Sequence, residues 1–162
     1  MYNLFMNQNA QNARKAIIFI GIPASGKSAF YARNFADGYE RINLDTLHTR
    51  RKEQMLVDSC LQEGKSFVVD NTNPTKADRQ RYIAAAKAAG YRVEGYFFQS
   101  IVRDCKERNA RREGKARVPD AAFGAVSSKL EMPCLDEGFD ALYFVRITGG
   151  DFVCEDWEEG LS

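Results

Sequence analysis

The stretch that decides the fold is Gly21-Ile22-Pro23-Ala24-Ser25-Gly26-Lys27-Ser28. It matches the pattern G-x-x-x-x-G-K-[ST] at every fixed position. Residues 16–20 precede it as an apolar run typical of a buried strand, and residues 28–35 follow it as a predicted helix. A loop of this pattern has its structural meaning between a strand and a helix. The sequence therefore predicts a phosphate-binding loop, or P-loop, at residues 21–28.

Such a loop offers its backbone N–H groups to the β-phosphate of a nucleoside triphosphate, helped by the positive end of the helix that follows. We expect Lys27 to neutralise β- and γ-phosphate oxygens and the Ser28 hydroxyl to coordinate Mg²⁺. The alternative, a glycine-rich turn followed by a surface lysine, is disfavoured by the flanking strand and helix. The expected cofactors are ATP and Mg²⁺, and the expected nucleotide-binding residues of the loop are Gly21, Ile22, Pro23, Ala24, Ser25, Gly26, Lys27 and Ser28.

Outward from this loop, apolar runs alternate with helical stretches. Further strands are predicted at residues 41–44, 66–70, 91–99 and 141–148. Further helices are predicted at residues 46–63, 74–89, 100–112 and 119–130. For the second of these, Asn73 is the expected N-cap and Pro74 the first helical residue. This alternation predicts an α/β domain with a five-stranded parallel sheet and helices on both faces.

The length of 162 residues favours one catalytic domain, which we place at residues 14–148. Residues 1–13 hold six Asn or Gln and no charged side chain, and are expected to form a flexible N-terminal segment. Residues 149–162 are predicted to be an acidic C-terminal tail that packs or lies away from the crevice. A basic segment with little apolar content predicts a short lid near residues 108–119.

The formal net charge of +1 argues by itself against a protein that binds long stretches of polyanion. However, residues 1–130 carry 22 basic and 13 acidic side chains, whereas residues 131–162 carry one and nine. A nucleic-acid partner is thus compatible with a small footprint at the end of a strand. The four cysteines show no metal or redox spacing, and no apolar run is long enough to span a bilayer, so we expect reduced thiols and a cytoplasmic location.

Two acidic residues end predicted strands on the side of the sheet where the P-loop lies. Asp45 follows the second strand, where a carboxylate can accept the proton of an attacking alcohol. The alternative is that Asp45 caps the next helix. Asp70 ends the third strand, as expected for a carboxylate that reaches Mg²⁺ beside Ser28. Residues 71–73 fit both a ligand-contacting role and plain turn and cap chemistry.

Arg108, Arg111 and Arg112 share one face of a predicted helix that leads into the lid. Guanidinium groups there can compensate charge on a transferring phosphoryl group. A solvated basic face is the alternative. The basic run at residues 50–52 fits both binding of strand phosphates and a solvated basic face.

Six short elements, in this order along residues 16–147, accompany the P-loop. They are Asn43-Leu44-Asp45-Thr46-Leu47, Asp70-Asn71-Thr72-Asn73-Pro74, Arg108-Asn109-Ala110-Arg111-Arg112, Val118-Pro119, Leu130-Glu131-Met132-Pro133 and Glu137-Gly138-Phe139. Together they resemble the kinase domain of polynucleotide 5′-hydroxyl kinases. The Asp-Asn-Thr-Asn-Pro and Glu-Gly-Phe elements are far more restrictive than the P-loop.

This resemblance implies transfer of the ATP γ-phosphoryl group to the 5′-hydroxyl of a nucleic acid, with Mg²⁺, in an adenylate-kinase-like P-loop NTPase fold. It places the general base on Asp45, the lid arginines on Arg108 and Arg112, and the strand-three carboxylate on Asp70. Lys27 and Ser28 keep their P-loop roles, so the expected catalytic residues are Lys27, Asp45, Arg108 and Arg112. The expected metal ligands are Ser28 and Asp70.

Two departures from the phage-type enzymes concern the acceptor side. Those enzymes carry arginines directly before the general base and three residues after it, where this chain has Leu44 and His48. Nor does the sequence show a sign of the phosphatase domain with which such kinases are often fused. A kinase acting on a small-molecule alcohol, such as a nucleoside, sugar or antibiotic, is therefore the alternative. An ATP-dependent switch that transfers no phosphoryl group is a third alternative, and Asp45 argues against it.

His48 fits both an acceptor contact and an ordinary position on a helix surface.

Overall fold

One six-stranded sheet, in the order β2-β3-β1-β4-β5-β6, organises the part of the chain that this computed structural model describes, residues 13–161. The strands are β1 (Lys15–Ile20), β2 (Glu40–Ile42), β3 (Phe67–Val69), β4 (Arg92–Phe98), β5 (Ala141–Thr148) and β6 (Asp151–Asp156). The first five strands run parallel to one another, and β6 is antiparallel to β5. The flexible segment predicted at residues 1–13 lies outside the described residues, except for its last position.

Six α-helices connect and cover the strands. They are α1 (Lys27–Asn34), α2 (Leu44–Leu47), α3 (Arg50–Glu63), α4 (Lys76–Ala88), α5 (Val102–Ala110) and α6 (Ala121–Lys129). Two 3₁₀ helices, Gly114–Ala116 and Leu135–Glu137, complete the order. Within residues 13–161, no helix combines the length and the apolar character needed to cross a membrane.

The prediction of an α/β fold with parallel strands and helices on both faces is confirmed, and the sheet gains a sixth strand. That strand, Asp151–Asp156, lies in the segment that is predicted from the sequence to be an acidic C-terminal tail. Gly149 and Gly150 have φ angles of 59° and 81° and form a two-residue turn between β5 and β6. A Gly-Gly pair between two β-prone runs is a hairpin signal. The acidic residues around it obscured that signal.

Two of the predicted helices differ from the structure in where they begin or in their continuity. The helix predicted at residues 46–63 is interrupted at His48, which has a φ of 70° and ends α2. Thr49 then caps α3, and its side chain accepts a hydrogen bond from the Lys52 N–H. The cap of α4 is Thr75, which forms a capping box with Asp78. Asn73, the predicted cap, instead has a φ of 43° and is buried.

The core has one layer on each face of the sheet, because alternate residues of β1 point to opposite sides. Ala16, Ile18 and Ile20 pack with residues from α3 and α4. Ile17 and Phe19 pack on the other face, against α1. Since both faces are covered, β1 is apolar at consecutive positions. A third cluster joins the P-loop to α5 and α6.

A buried ion pair ties α4 to the segment before β5. Arg79 and Glu137 form a two-pronged pair, with Nε to Oε1 at 2.8 Å and Nη2 to Oε2 at 3.1 Å. At Gly138, with a φ of 115°, a Cβ atom would lie 2.7 Å from Ile83 Cγ2. Phe139 is buried in the core. The Glu137-Gly138-Phe139 element therefore acts through packing and charge pairing.

Candidate active site

The loop at residues 21–28 joins the carboxyl end of β1 to the first turn of α1, as its pattern predicts. The Gly21 N–H donates to the Thr72 carbonyl at 3.0 Å. The Ile22 N–H donates to the Ser100 hydroxyl at 3.1 Å. These two bonds attach the start of the loop to the segments that follow β3 and β4, the strands on either side of β1. The loop is thereby held in place by the sheet itself.

Gly26 precedes α1 with a φ of 101°, in the left-handed region that favours glycine. A Cβ atom at this position would lie 2.9 Å from the Phe152 ring and 3.0 Å from Ile147 Cδ1. The β5–β6 hairpin thus packs closely against the P-loop at Gly26.

Lys27 is buried, and its ammonium group donates to the carbonyls of Gly21 at 3.0 Å and Ile22 at 2.7 Å. The Ser25 hydroxyl is a third acceptor, at 3.3 Å. Burial lowers the pKa of Lys27 from its ordinary value of 10.5 to about 8, although the negative charge of Asp70 acts in the opposite direction. Phosphate groups placed at this lysine favour its charged form.

Ser28 and Asp70 face each other on the floor of the site. The Ser28 hydroxyl donates to Asp70 Oδ2 at 3.0 Å, and the Asp70 side chain is only 1% exposed. Hydroxyl and carboxylate oxygens are ligands that suit Mg²⁺, which keeps several waters and binds through few carboxylates. The two residues predicted as metal ligands therefore fit a bound Mg²⁺.

Asp45 lies in the first turn of α2 and is exposed to solvent. Asn43, rather than Asp45, caps this helix, because its side-chain oxygen accepts from the Thr46 N–H. The Asn43 amide also donates to the Asp70 carbonyl at 2.6 Å, which joins the ends of β2 and β3. Capping therefore does not account for the aspartate at position 45.

A cavity of about 780 Å³ runs from the P-loop to α2 and the segment before α6. Five of the residues predicted for catalysis or metal binding line it: Lys27, Ser28, Asp45, Asp70 and Arg112. Pro23 and Ala24 of the loop, and the side chains of Arg50 and Lys115, also line it. The structure thus gathers acidic and basic groups from four separate stretches of sequence around one space.

The three arginines at the end of α5 occupy different places. Arg112 lines the cavity, and its Nη1 donates to the Ala116 carbonyl at 3.3 Å. Arg108 instead donates from Nε to the carbonyl of Ala24 in the P-loop, at 2.8 Å. Arg111 is exposed. Only Arg112 of the predicted pair lines the cavity, whereas Arg108 holds the loop from the side.

The segment between α5 and α6, predicted as a lid, is fastened at its two ends by one buried side chain. The Asn109 amide donates to the Val118 carbonyl at 2.8 Å, and its oxygen accepts from the Val118 N–H at 3.0 Å. Asn109 is 1% exposed. Between these points lie Arg112 and Lys115, both at the cavity wall.

One polar network near the cavity was not anticipated. Glu53 is buried on α3, and Tyr82 and Arg50 donate to its Oε1 at 2.7 and 2.8 Å. The Asn71 amide donates to Oε2 at 2.8 Å, while its oxygen accepts from the Leu44 N–H at 2.9 Å. Burial, together with Glu53, raises the pKa of Tyr82 to about 12. A glutamate on the buried face of α3 was the available signal.

The remaining polar residues of this region have structural contacts. The Asn73 amide donates to the Phe19 carbonyl at 2.8 Å and so supports the residue that precedes Ile20 in β1. His48 is exposed and is not one of the residues that line the cavity. Both asparagines of residues 71–73 make structural hydrogen bonds, and all three residues also line the cavity, so their positions fit both predicted roles.

Arg41, like Glu53, is a residue near the site that was not predicted from the sequence. It lies in β2, and its guanidinium contacts both Ser28 and Asp70. The available sequence signal was a charged residue within a strand that was predicted to be buried, residues 41–44.

Comparison with known proteins gives a family and a set of relatives. The family model described as an AAA domain matches residues 17–133. The bifunctional polynucleotide phosphatase/kinase of Schizosaccharomyces pombe is 32% identical over 130 residues. That match covers 78% of this chain and 32% of the relative, so the chain spans about a third of the relative's length.

Solved structures share the fold at lower identity. Kti12 of Chaetomium thermophilum, in complex with ADP-AlF3, superposes with a TM-score of 0.61 at 19% identity, covering 81% of this chain and 88% of that one. A gluconokinase of Sinorhizobium meliloti superposes with a TM-score of 0.58 at 19% identity, covering 80% and 82%. The resemblance to polynucleotide kinases noted from the sequence motifs is confirmed by the curated relative, and the P-loop kinase fold by these structures.

Proposed function

The chain belongs to the AAA domain family and has a P-loop kinase fold, and from this premise we propose that it is an ATP- and Mg²⁺-dependent kinase of nucleic-acid 5′-hydroxyl ends. The observation that carries the proposal is the position of Asp45. Asp45 is exposed and lines the same cavity as Lys27 and Ser28. A carboxylate that shares a cavity with a P-loop can accept the proton of an alcohol in phosphoryl transfer.

Each residue has a defined part in the proposed reaction. Asp45 accepts the proton of the acceptor hydroxyl, whose oxygen forms a bond to the γ-phosphorus. The bond from that phosphorus to the β–γ bridging oxygen breaks, and ADP leaves. Lys27 and Arg112 compensate the charge on the phosphoryl oxygens, and Arg108 keeps the P-loop in shape. Ser28 and Asp70 hold Mg²⁺, which when bound neutralises phosphate charge.

The lid-like segment near residues 108–119 is proposed to close over the triphosphate. Two of its residues, Arg112 and Lys115, are cationic and line the same cavity as Lys27. Closure expels water and strengthens the electrostatic contacts in the site.

A nucleic-acid acceptor is supported by the relative and by the charge around Asp45. The relative's name includes polynucleotide kinase activity, and the match to it covers 78% of this chain. Arg50 lines the same cavity as Asp45, so its positive charge can favour the approach of a phosphate. Because Asp45 is exposed, a strand end can reach it from solvent.

A small-molecule alcohol is the second candidate acceptor. Leu44 also lines the cavity, where an apolar side chain can contact the carbon skeleton of a small substrate. His48, at the other position where phage-type kinases have arginine, is not one of the residues that line the cavity.

A cytoplasmic location remains part of the proposal, and the four cysteines, all free thiols, are consistent with it.

One experiment tests the function and its alternatives together. The purified chain is incubated with γ-labelled ATP and with 5′-hydroxyl DNA, 5′-hydroxyl RNA, mononucleotides and a panel of small alcohols. We expect label on an oligonucleotide 5′ end, and loss of that transfer in Asp45→Asn with ATP binding retained. Asp58→Asn is the matched control, since Asp58 is an exposed carboxylate on α3.

Three results would contradict the proposal. Label found only on small alcohols favours the second candidate. A folded, ATP-binding protein that labels nothing argues against both acceptors. An Asp45→Asn variant that hydrolyses ATP like the parent supports the third alternative, an ATP-dependent switch.

A further inference from the structure

The Arg41 side chain is bonded to both predicted metal ligands. Its Nε and Nη2 donate to Asp70 Oδ2 at 2.9 and 2.7 Å, and Nη2 also donates to Ser28 Oγ at 3.0 Å. Ser28 Oγ in turn donates to the same Asp70 oxygen at 3.0 Å. A single nitrogen of the guanidinium therefore lies against both oxygens of the Ser28–Asp70 pair.

This arrangement follows from the burial of Asp70. A carboxylate that is 1% exposed requires a compensating positive charge, because an isolated buried charge is costly. The Lys27 ammonium, the nearest alternative in the loop, is bonded to the carbonyls of Gly21 and Ile22. The guanidinium of Arg41 supplies the charge that Asp70 needs.

Arg41 is nevertheless able to leave. Its side chain is 34% exposed and lines the cavity. It rests on the ring of Tyr31, with the guanidinium carbon 5.7 Å from the ring centroid. Because the side chain is partly exposed at the wall of a cavity, the guanidinium has space into which it can rotate.

A divalent cation and the guanidinium compete for the same two oxygens. Mg²⁺ binds its oxygen ligands at about 2.0–2.1 Å, closer than the nitrogen is now. Two cations held against one carboxylate oxygen also repel each other. Occupation of the Ser28–Asp70 pair by metal therefore requires Arg41 to move away.

We propose that Arg41 is a displaceable counter-ion of Asp70, which weakens binding of a free divalent cation and makes metal binding depend on the triphosphate. The proposal rests on the metal-site assignment within the proposed function. A free cation must displace the charge-assisted bonds of Arg41 without offering the guanidinium a new partner. A metal–triphosphate complex brings phosphate oxygens into the cavity, and these accept the released guanidinium.

The test measures metal binding without nucleotide. Mn²⁺, used as a paramagnetic probe, is titrated into the full chain and followed by electron paramagnetic resonance. We expect Arg41→Gln to bind Mn²⁺ about tenfold or more tightly than the parent, since it removes the competing cation. Arg41→Lys, which keeps the charge but loses the two-pronged contact, is expected to lie between them. Arg81→Gln removes one exposed charge on α4 and is expected to behave like the parent.

An affinity of Arg41→Gln for Mn²⁺ within about twofold of the parent overturns the inference, because a purely structural arginine changes stability and leaves metal affinity alone. If Arg41→Gln does not fold, Arg41→Lys decides by the same criterion. The outcome is separable from that of the proposed function. Label transfer by the parent with unchanged Mn²⁺ affinity in the variants removes only this inference, whereas a parent that binds no ATP removes the function.

Discussion

The Lys27 ammonium donates to the carbonyl oxygen of Ile22 at 2.7 Å, within the loop to which both residues belong. Together with its bonds to Gly21 and Ser25, this contact turns the lysine toward its own backbone. A triphosphate in the loop must therefore draw the ammonium away from carbonyl acceptors. We therefore expect the protonation of Lys27 to make nucleotide binding depend on pH.

ATP affinity is expected to fall as the pH rises through about 8. The pKa of Lys27 is lowered to about 8 by burial, so the free protein loses this charge above that pH. Bound phosphates raise the pKa, so the complex keeps the proton. Above pH 8, ATP binding therefore takes up a proton, whereas near pH 7 the lysine is already charged.

Isothermal titration calorimetry in two buffers of different ionisation enthalpy measures this uptake. At about pH 8.5 we expect roughly 0.8 proton per ATP, and at about pH 7 close to none beyond the nucleotide's own titration. Equal uptake at the two pH values would show that Lys27 keeps an ordinary pKa in the free protein.

Substitutions of the two lid arginines, Arg108 and Arg112, are expected to have different effects on kcat and on ATP affinity. Arg112→Ala should lower kcat about 100-fold or more with little effect on ATP affinity, because Arg112 lines the cavity where charge develops. Arg108→Ala should instead weaken ATP binding, because it removes the bond to Ala24 of the P-loop. Steady-state kinetics with separate measurement of the ATP Kd distinguishes the two effects. Arg111→Ala, at an exposed site on the same segment, is the charge-matched control, and an equal loss there would point to a general electrostatic effect.

Glu137→Ala is expected to destabilise the protein by about 3–5 kcal/mol, since it leaves the buried Arg79 charge unpaired. Urea unfolding measures the change. Replacement of both partners, with Arg79→Met and Glu137→Leu, should cost less than the single change, because no buried charge is left over. If the double variant loses as much free energy of unfolding as the two single variants together, the bonds from Arg79 to backbone carbonyls contribute more to stability than its pairing with Glu137.

Asn109→Ala is expected to loosen the segment that carries Arg112 and Lys115. The change removes both bonds to Val118, which close the ends of this segment. Trypsin cleaves after arginine and lysine, so limited proteolysis should cut residues 111–117 faster in the variant. ATP should slow the cleavage if the segment closes over the nucleotide. Cleavage at the parent rate would indicate that packing, rather than Asn109, holds the segment.

The sequence motif and the alternation of elements were sufficient to predict the parallel strands, the P-loop and the position of Asp70 at the end of β3. Each of these depends on local pattern and on the rule that parallel strands end at one edge of a sheet. The proximity of Ser28 and Asp70 followed from that rule. Asp45 lies three residues beyond the end of β2, in the first turn of α2, so the strand predicted at residues 41–44 was too long.

The contacts that were missed depend on tertiary packing. Arg41 meets Asp70 only because β2 pairs with β3, and a single sequence does not give that strand order. Glu53 is buried by Asn71 and Tyr82, which come from separate elements. Arg108 and Arg112 are four residues apart, yet one contacts the loop and the other the cavity, because the helix ends between them.

The Phe152 ring lies so near Gly26 that a Cβ atom at this glycine would be 2.9 Å from it, so the C-terminal hairpin packs closely against the phosphate-binding loop. A ligand that orders one of two closely packed segments is expected to order the other as well. Backbone amides of β6 should then exchange hydrogen with solvent more slowly when nucleotide is present, although no residue of β6 lines the cavity. The acidic end of the chain, distant in sequence from residues 21–28, thus becomes an allosteric reporter of their occupancy.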